Sequence, residues 1–301
     1  MKLRRVHRDG RLVVQQSTGG DWADTDDAGA FGGQVFDPEW ELTLAREHLE
    51  RSEHLLPFQP VSFRDFLLCE QHNIDAARGL VRRFHPGQYR AASLIEKLTR
   101  RPFPMFKPAA LFYRQPEYYM GNHLTFVPSG TPMRAPSYSS ALDYELELGI
   151  VLAAPLLDAT PDEAVAAIGA FVLVNDFSAR DVQRAEMASG LGPQKSKHFA
   201  NSMSATAVTP DEVLPRIDAL TGSVAINGKT VSTVSSAGLW WSVGEMLAHA
   251  SKSEQLRPGE LLATGTLAGG SGMETGNWVS PGDTLTLTLD GVGQIEHPIL
   301  G

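Results

Sequence analysis

The stretch Asp143-Tyr144-Glu145-Leu146-Glu147-Leu148 alternates acidic and apolar residues, then runs on into Gly149-Ile150-Val151-Leu152. Strict alternation is a strand signal, because successive side chains on a strand point to opposite faces. Asp143, Glu145 and Glu147 therefore share one face at roughly 7 Å intervals, and Tyr144, Leu146 and Leu148 share the other. A chain with this stretch must build a sheet, and it must either leave the acidic face in water or compensate it. The apolar continuation carries the strand toward a core. A second apolar run, Ala170-Phe171-Val172-Leu173-Val174, ends on Asn175-Asp176, and a carboxylate where a buried strand emerges is a common place for a functional group. Converging carboxylates repel one another unless a hard cation offsets them, and Mg²⁺ or Ca²⁺ accepts such all-oxygen ligation. From these residues alone, a solvated strand face and a cation site both stay open.

The rest of the chain bounds the answer. Its 301 residues suit one large domain with a smaller N-terminal piece, here divided as 1–60, an extension or small domain, and 61–301, the catalytic domain. Hydrophobic content of 42% supports a real core. The formal net charge of −9 argues against a nucleic-acid footprint and against an anionic membrane surface. One cysteine, Cys69, fits a reducing compartment. The opening "MKLRRVHRDGRLVV" is basic with no apolar run behind it, so no signal peptide is expected. A soluble, cytoplasmic protein is the expectation.

Local signals place the elements. "RLVVQQ" reads as a strand and "GGDWADTDDAGAFGG" as a loop. "DPEWELTLAREHLERSEHLL" has helical spacing at Trp40, Leu42, Leu44 and Leu49, and "SFRDFLLCEQHNIDAARGLVRRF" reads as a second helix with Phe66, Cys69 and Ile74 among its apolar positions. Thr160, Pro161 and Glu163 form a capping-box helix start, repeated at Ser242 and Glu245. Asn227-Gly228 predicts a hairpin, and "TLTLTL" alternates before the turn at Asp290-Gly291. Many short strands with few helices predict an α+β, mainly β fold with a mixed, largely antiparallel sheet that rolls up.

Further candidates for chemistry are few. Arg180 and Gln183 follow Asp176 at +4 and +7, which puts them on one side of a helix or turn above the acid. An arginine there can bind a substrate carboxylate bidentately; the plainer reading is a surface pair with Asp181. Asp65 and His72 lie seven residues apart, on one face if the segment is helical. "GGSGMETG" is glycine-rich but does not join a strand to a helix in the dinucleotide-binding manner.

Taken together, "LDYELELGIVL", "VLVNDFSARDVQ", "LGPQKSKHF" and "LLATGTLAGGSGMETGNWVSPGD", in this order, resemble the fumarylacetoacetate hydrolase (FAH) superfamily. "RDFLLCEQH" and "YYMGNHLTFVPSGTPMRAP" match family segments upstream, so the resemblance covers roughly residues 62–295. It implies a β-roll catalytic domain, a homodimer, and a divalent cation, Mg²⁺ first, with Mn²⁺ or Ca²⁺ as alternatives. Glu145, Glu147 and Asp176 fall on the family's metal carboxylates, with Asp65 on a further ligand and Asp143 as a flanking residue. His72 falls on the general base and Glu274 on the glutamate that orients it. Arg180, Gln183 and Lys197 fall on residues that meet the substrate and the developing oxyanion, and Tyr119 and Thr266 on substrate-contacting positions. Leu67 and Met187 stand where the fumarylacetoacetase branch has tyrosines, which implies a different substrate. The implied activity is metal-dependent hydrolysis of a C–C bond in a 2,4-dioxo acid, through water activated by His72 and Glu274, as in aromatic catabolism. The alternatives are an oxaloacetate-type decarboxylase or an oxo-enol acid isomerase or hydratase, and a non-catalytic metal-binding relative.

Overall fold

The computed structural model describes residues 1–26, 29–31 and 38–301. Of the loop read at 19–33, residues 27, 28, 32 and 33 lie outside the described residues, while Ala23–Asp24 forms a short strand and Gly29–Phe31 one 3₁₀ turn. Among the described residues no helix is long and apolar enough to cross a membrane.

The fold is α+β, built on one sixteen-stranded, mostly antiparallel sheet. Its centre is Glu145–Leu152, flanked antiparallel by Ile168–Asp176 and by Glu260–Ser271. Ser62–Phe66 runs parallel to Glu260–Ser271, and Tyr118–Met120 pairs antiparallel with it on the far side. Beyond Ile168–Asp176 lies Asn201–Met203. Thr221–Ile226, Lys229–Ser235, Thr284–Leu289 and Gly293–Leu300 make the antiparallel meander that rolls the sheet over. The hairpin at Asn227-Gly228 has φ of 54° and 74°, the paired positive values that an Asn-Gly turn supplies at low cost. Both capping boxes form where the spacing predicts them, at Thr160/Glu163 and Ser242/Glu245.

The centre strand is buried on both faces, which is why its alternation does not mark a wet surface. Leu146, Leu148, Ile150 and Leu152 face the main core with Leu285, Leu287 and Ile295. Val151, on the acidic side, packs in a second core with Phe63, Val172 and Val174. That second core also takes Leu3, Phe31, Leu56 and Phe58. The N-terminal hairpin, Lys2–Arg8 with Arg11–Ser17, joins the same sheet through Lys2 and Leu3 opposite Val208 and Ala207.

The segment 62–84 differs from the single helix expected of it. Ser62–Phe66 is a strand, and the helix is Glu70–Phe84, capped by Cys69, whose sulfur accepts from the His72 amide at 3.4 Å. Asp65 and His72 therefore do not share a helical face. The reason is a distant partner: Ala263 pairs with Asp65 and Leu261 with Phe63, and sheet pairing overrides local helical spacing.

His297 gives the fold a pH dependence. It is fully buried, with Nδ1 2.7 Å from the Thr131 carbonyl and Nε2 2.9 Å from the Ser202 hydroxyl. Burial pushes its pKa from 6.5 to about 4, against the opposing pull of the Thr131 carbonyl. Between these values the unfolded chain binds more protons, so this contribution is complete above pH 6.5 and is lost as pH falls toward 4. A histidine so displaced accounts for on the order of 3 kcal/mol. The stability gap between the parent and His297→Gln is expected to narrow from pH 7.5 to about pH 4.5 in denaturant melts; a pH-independent gap contradicts the assignment.

Candidate functional site

The acids converge because neighbouring strands deliver them. Asp65 lies opposite Tyr119 on one side and Ala263 on the other, Glu147 opposite both Thr266 and Val174, and Asp176 opposite Asn201. Carboxylate oxygens of Asp65, Glu147 and Asp176 come within 4.8 Å of one another, all buried. A bulge between Ala263 and Thr266 shapes this part of the sheet. There Gly265 takes φ of 77° with its missing Cβ only 2.1 Å from the Phe66 carbonyl, so no other residue fits, and Thr266 is aimed to donate to Glu147 at 3.3 Å.

Glu145 stands beside this trio rather than in it. Arg180 donates to it from Nη2 at 2.7 Å and to Asp143 from Nε at 2.8 Å, and Lys197 bridges Glu145 and Asp176. Burial opposes ionisation of Glu145, but Arg180, Lys197 and His72 outweigh it and hold its carboxyl well below the usual range. Asp143 is fully buried and also accepts the Gly272 and Met273 amides at 2.9 and 3.0 Å. It thereby ties Arg180 to the segment that carries Glu274, a function its position in the acidic alternation gave no sign of. Arg180 pairs with these two acids and, through Nη1, with the Gln183 amide oxygen at 3.0 Å; Asp181 instead takes the Ser139 and Ser140 hydroxyls.

Charge explains what the site lacks on its own. Asp65, Asp143, Glu145, Glu147 and Asp176 are five buried carboxyls facing two buried cations, Arg180 and Lys197, a formal excess of three. Burial, and then the neighbouring carboxylates, push Asp65 and Glu147 well above the ordinary carboxyl range. Among the described residues, Asp65 Oδ1 and Glu147 Oε2 are buried without a hydrogen-bond partner. Tyr119 donates to Asp176 at 2.6 Å, and Asn201, with its amide nitrogen turned to the acid, at 2.7 Å. Orphaned, clustered, all-oxygen acceptors with excess negative charge fit a hard divalent cation held by Asp65, Glu147 and Asp176, with Glu145 adjacent.

Above the acids sits His72, 4% exposed, at the start of the helix Glu70–Phe84. Its Nδ1 is 3.1 Å from Glu274 Oε2, off the line of a straight hydrogen bond, and its Nε2 is 3.9 Å from Glu145 Oε1. Burial works against the imidazolium, yet Glu274 and Glu145 overcome it and raise the pKa of His72. Glu274 is fixed by the Gly269 and Ser271 amides and the Ser271 hydroxyl, each at 3.0 Å. This is a third capping box, Ser271 to Glu274, and the S-x-x-E spacing was its available signal within "GGSGMETG". The two halves meet closely because Gly79 lets its helix press on Met273: a Cβ there would sit 1.6 Å from the Met273 carbonyl oxygen.

These parts open on one cavity of about 620 Å³, lined by Asp65, His72, Tyr119, Glu145, Glu147, Arg180, Gln183, Lys197 and Thr266. Asp176 and Glu274 stand behind that lining. Every residue that the sequence nominated lies in this one region of the molecule.

A buried acid trio on neighbouring strands of a rolled mixed sheet, with a histidine–glutamate pair beside it, is an arrangement able to hold a divalent cation next to a titratable group. Residues 92–300 match the family model for the C-terminal domain of fumarylacetoacetate (FAA) hydrolase, and the chain belongs to that family. The mitochondrial oxaloacetate tautomerase FAHD1 of Homo sapiens is 28% identical over 155 residues, 52% of this chain and 70% of the relative. The solved fumarylacetoacetate hydrolase of Exiguobacterium antarcticum shares the fold with a TM-score of 0.69 at 20% identity, over 100% of this chain and 99% of that one. The 5-carboxymethyl-2-hydroxymuconate delta-isomerase structure from Mycobacterium smegmatis gives 0.68 at 18% identity, over 100% and 98%.

Proposed function

We propose that this protein is a divalent-cation-dependent enzyme that moves a proton on the carbon beside the carbonyl of a 2-oxo acid, interconverting its keto and enol forms. The observation that carries this reading is cavity-lining His72, 3.1 Å from Glu274 and 3.9 Å from Glu145, in the same region as the acid trio. The similarity to an oxaloacetate tautomerase supports proton transfer over the expected C–C hydrolysis.

A cation held by Asp65, Glu147 and Asp176 would polarise the 2-oxo group and offset the negative charge of the enol-forming step. Glu274 Oε2, 3.1 Å from Nδ1, would hold a proton there and leave Nε2 to act as the base. Nε2 takes the proton from the substrate's C3. The C–H electron pair becomes the C2–C3 π bond, and the carbonyl π pair moves to oxygen. The imidazolium then returns the proton to that oxygen, and the reverse sequence restores the ketone. Arg180 keeps Glu145 ionised and in place, and Tyr119 and Thr266 fix Asp176 and Glu147.

The same imidazole can take its proton from water instead, which keeps acylpyruvate cleavage as the second reading. Deuterium incorporation at C3, followed by NMR with Mg²⁺ or Mn²⁺ against the uncatalysed rate, separates the two. Tautomerisation predicts accelerated exchange with the carbon skeleton intact, and hydrolysis predicts two shorter acids. Neither outcome across a panel of 2-oxo and 2,4-dioxo acids would overturn both.

A further inference from the structure

The cavity is larger and more apolar than a four-carbon diacid requires. Its volume of about 620 Å³ lies within the range of about 300–1,000 Å³ of pockets that enclose drug-sized ligands. One helix supplies a measure of its length. His72 stands at the acid end, 3.9 Å from Glu145, and Ala76, Ala77 and Leu80 of the same helix Glu70–Phe84 line the same cavity. At a rise of about 1.5 Å per residue, Leu80 lies about 12 Å along the axis from His72. Leu67, Pro108 and Met187 add further apolar wall. The unpartnered oxygens of buried Asp65 and Glu147 mark where the polar head of a ligand belongs. Away from that centre the charged lining residues are Arg184, whose guanidinium meets the half-buried His85, and Glu117, of opposite sign.

We infer that the substrate is a 2-oxo acid with an uncharged, apolar tail beyond its reacting carbons, seated along Ala76, Ala77 and Leu80. This rests on the proposed reading of the site as one for 2-oxo acids. Small side chains at 76 and 77 leave room beside the helix, and Leu80 sets the far limit. Each methylene that leaves water for this wall strengthens binding roughly threefold to fourfold.

The test is calorimetric binding of saturated 2-oxo alkanoates, from pyruvate to 2-oxodecanoate, to the Mg²⁺-loaded protein, beside the exchange assay on the same compounds. Affinity is expected to rise roughly threefold to fourfold per methylene and then level off. Ala77→Phe should cut the ratio of 2-oxooctanoate to pyruvate affinity by roughly tenfold or more. Leu80→Ala, at a half-buried position that tolerates truncation, should move the levelling-off to longer tails. Affinity that is flat along the series overturns the inference. So does tighter binding of an equal-length 2-oxo diacid that Arg184→Ala abolishes, since Arg184 would then read a second carboxylate. A rising affinity with no exchange or cleavage would retire the catalytic reading and leave the tail site standing, whereas exchange with flat affinity would do the reverse.

Discussion

Glu147→Gln is expected to bind Mn²⁺ or Mg²⁺ at least roughly a hundredfold more weakly than the parent, because loss of mere supporting partners already costs about 10–100-fold. Glu147 is 1% exposed, and among the described residues one of its oxygens has no hydrogen-bond partner. The amide is close to isosteric, so the loss would report charge and ligation rather than packing. Tyr119→Phe removes only the hydroxyl that donates to Asp176, and its loss should fall in the smaller range of about 10–100-fold. The metal-free proteins should move the other way. Glu147 is pushed up by burial and by Asp65, Asp176 and Glu145, so neutralising it relieves repulsion that the cation otherwise relieves. Glu147→Gln without metal should therefore melt at or above the parent temperature, while metal addition should raise its melting temperature less. Titration calorimetry and thermal melts with and without cation check both signs. Unchanged affinity would remove Glu147 from the ligand set.

The features legible in the sequence are those whose causes are local. Thr160 and Ser242 satisfy their own helix starts within three residues, and Asn227-Gly228 closes its own hairpin. The acidic alternation likewise names a strand without further information. Its consequences are not local, because whether that face is wet depends on what covers it. Here the cover comes from His72 and Lys197, which lie far from Glu145 in the chain yet approach it in space. The strand setting of Asp65 has the same kind of cause: that strand exists by pairing with Glu260–Ser271, nearly two hundred residues on. Asp143 illustrates the opposite limit. Its identity and strand position were plain, but its bonds to Arg180, Gly272 and Met273 belong to the tertiary structure. The motif resemblance names the site positions, but which oxygen lacks a partner is a property of the tertiary structure.

His72→Ala is expected to slow proton exchange at C3 of a 2-oxo acid by roughly 10²–10⁴-fold, the usual contribution of a positioned general base. His72 lines the cavity, and its Nδ1 lies 3.1 Å from the Glu274 carboxylate, which would stabilise the imidazolium that forms when Nε2 takes the proton. Glu274→Gln should act in the same direction, since an amide cannot stabilise the imidazolium that forms. The double variant should be little worse than the poorer single one, because both residues serve one proton transfer. Cation affinity is the control. His72 contributes no oxygen to the trio of Asp65, Glu147 and Asp176, so His72→Ala should titrate with metal as the parent does. Glu274 also caps its own short helix through Ser271, so part of its effect would be structural. The expected signature of the functional part is non-additivity with His72, which a simple loss of the cap would not produce. Exchange in His72→Ala within about twofold of the parent, far below the base contribution, would mean that the acids and the cation suffice. The histidine–glutamate pair would then be a structural clasp between the helix Glu70–Phe84 and the strand end at Ser271.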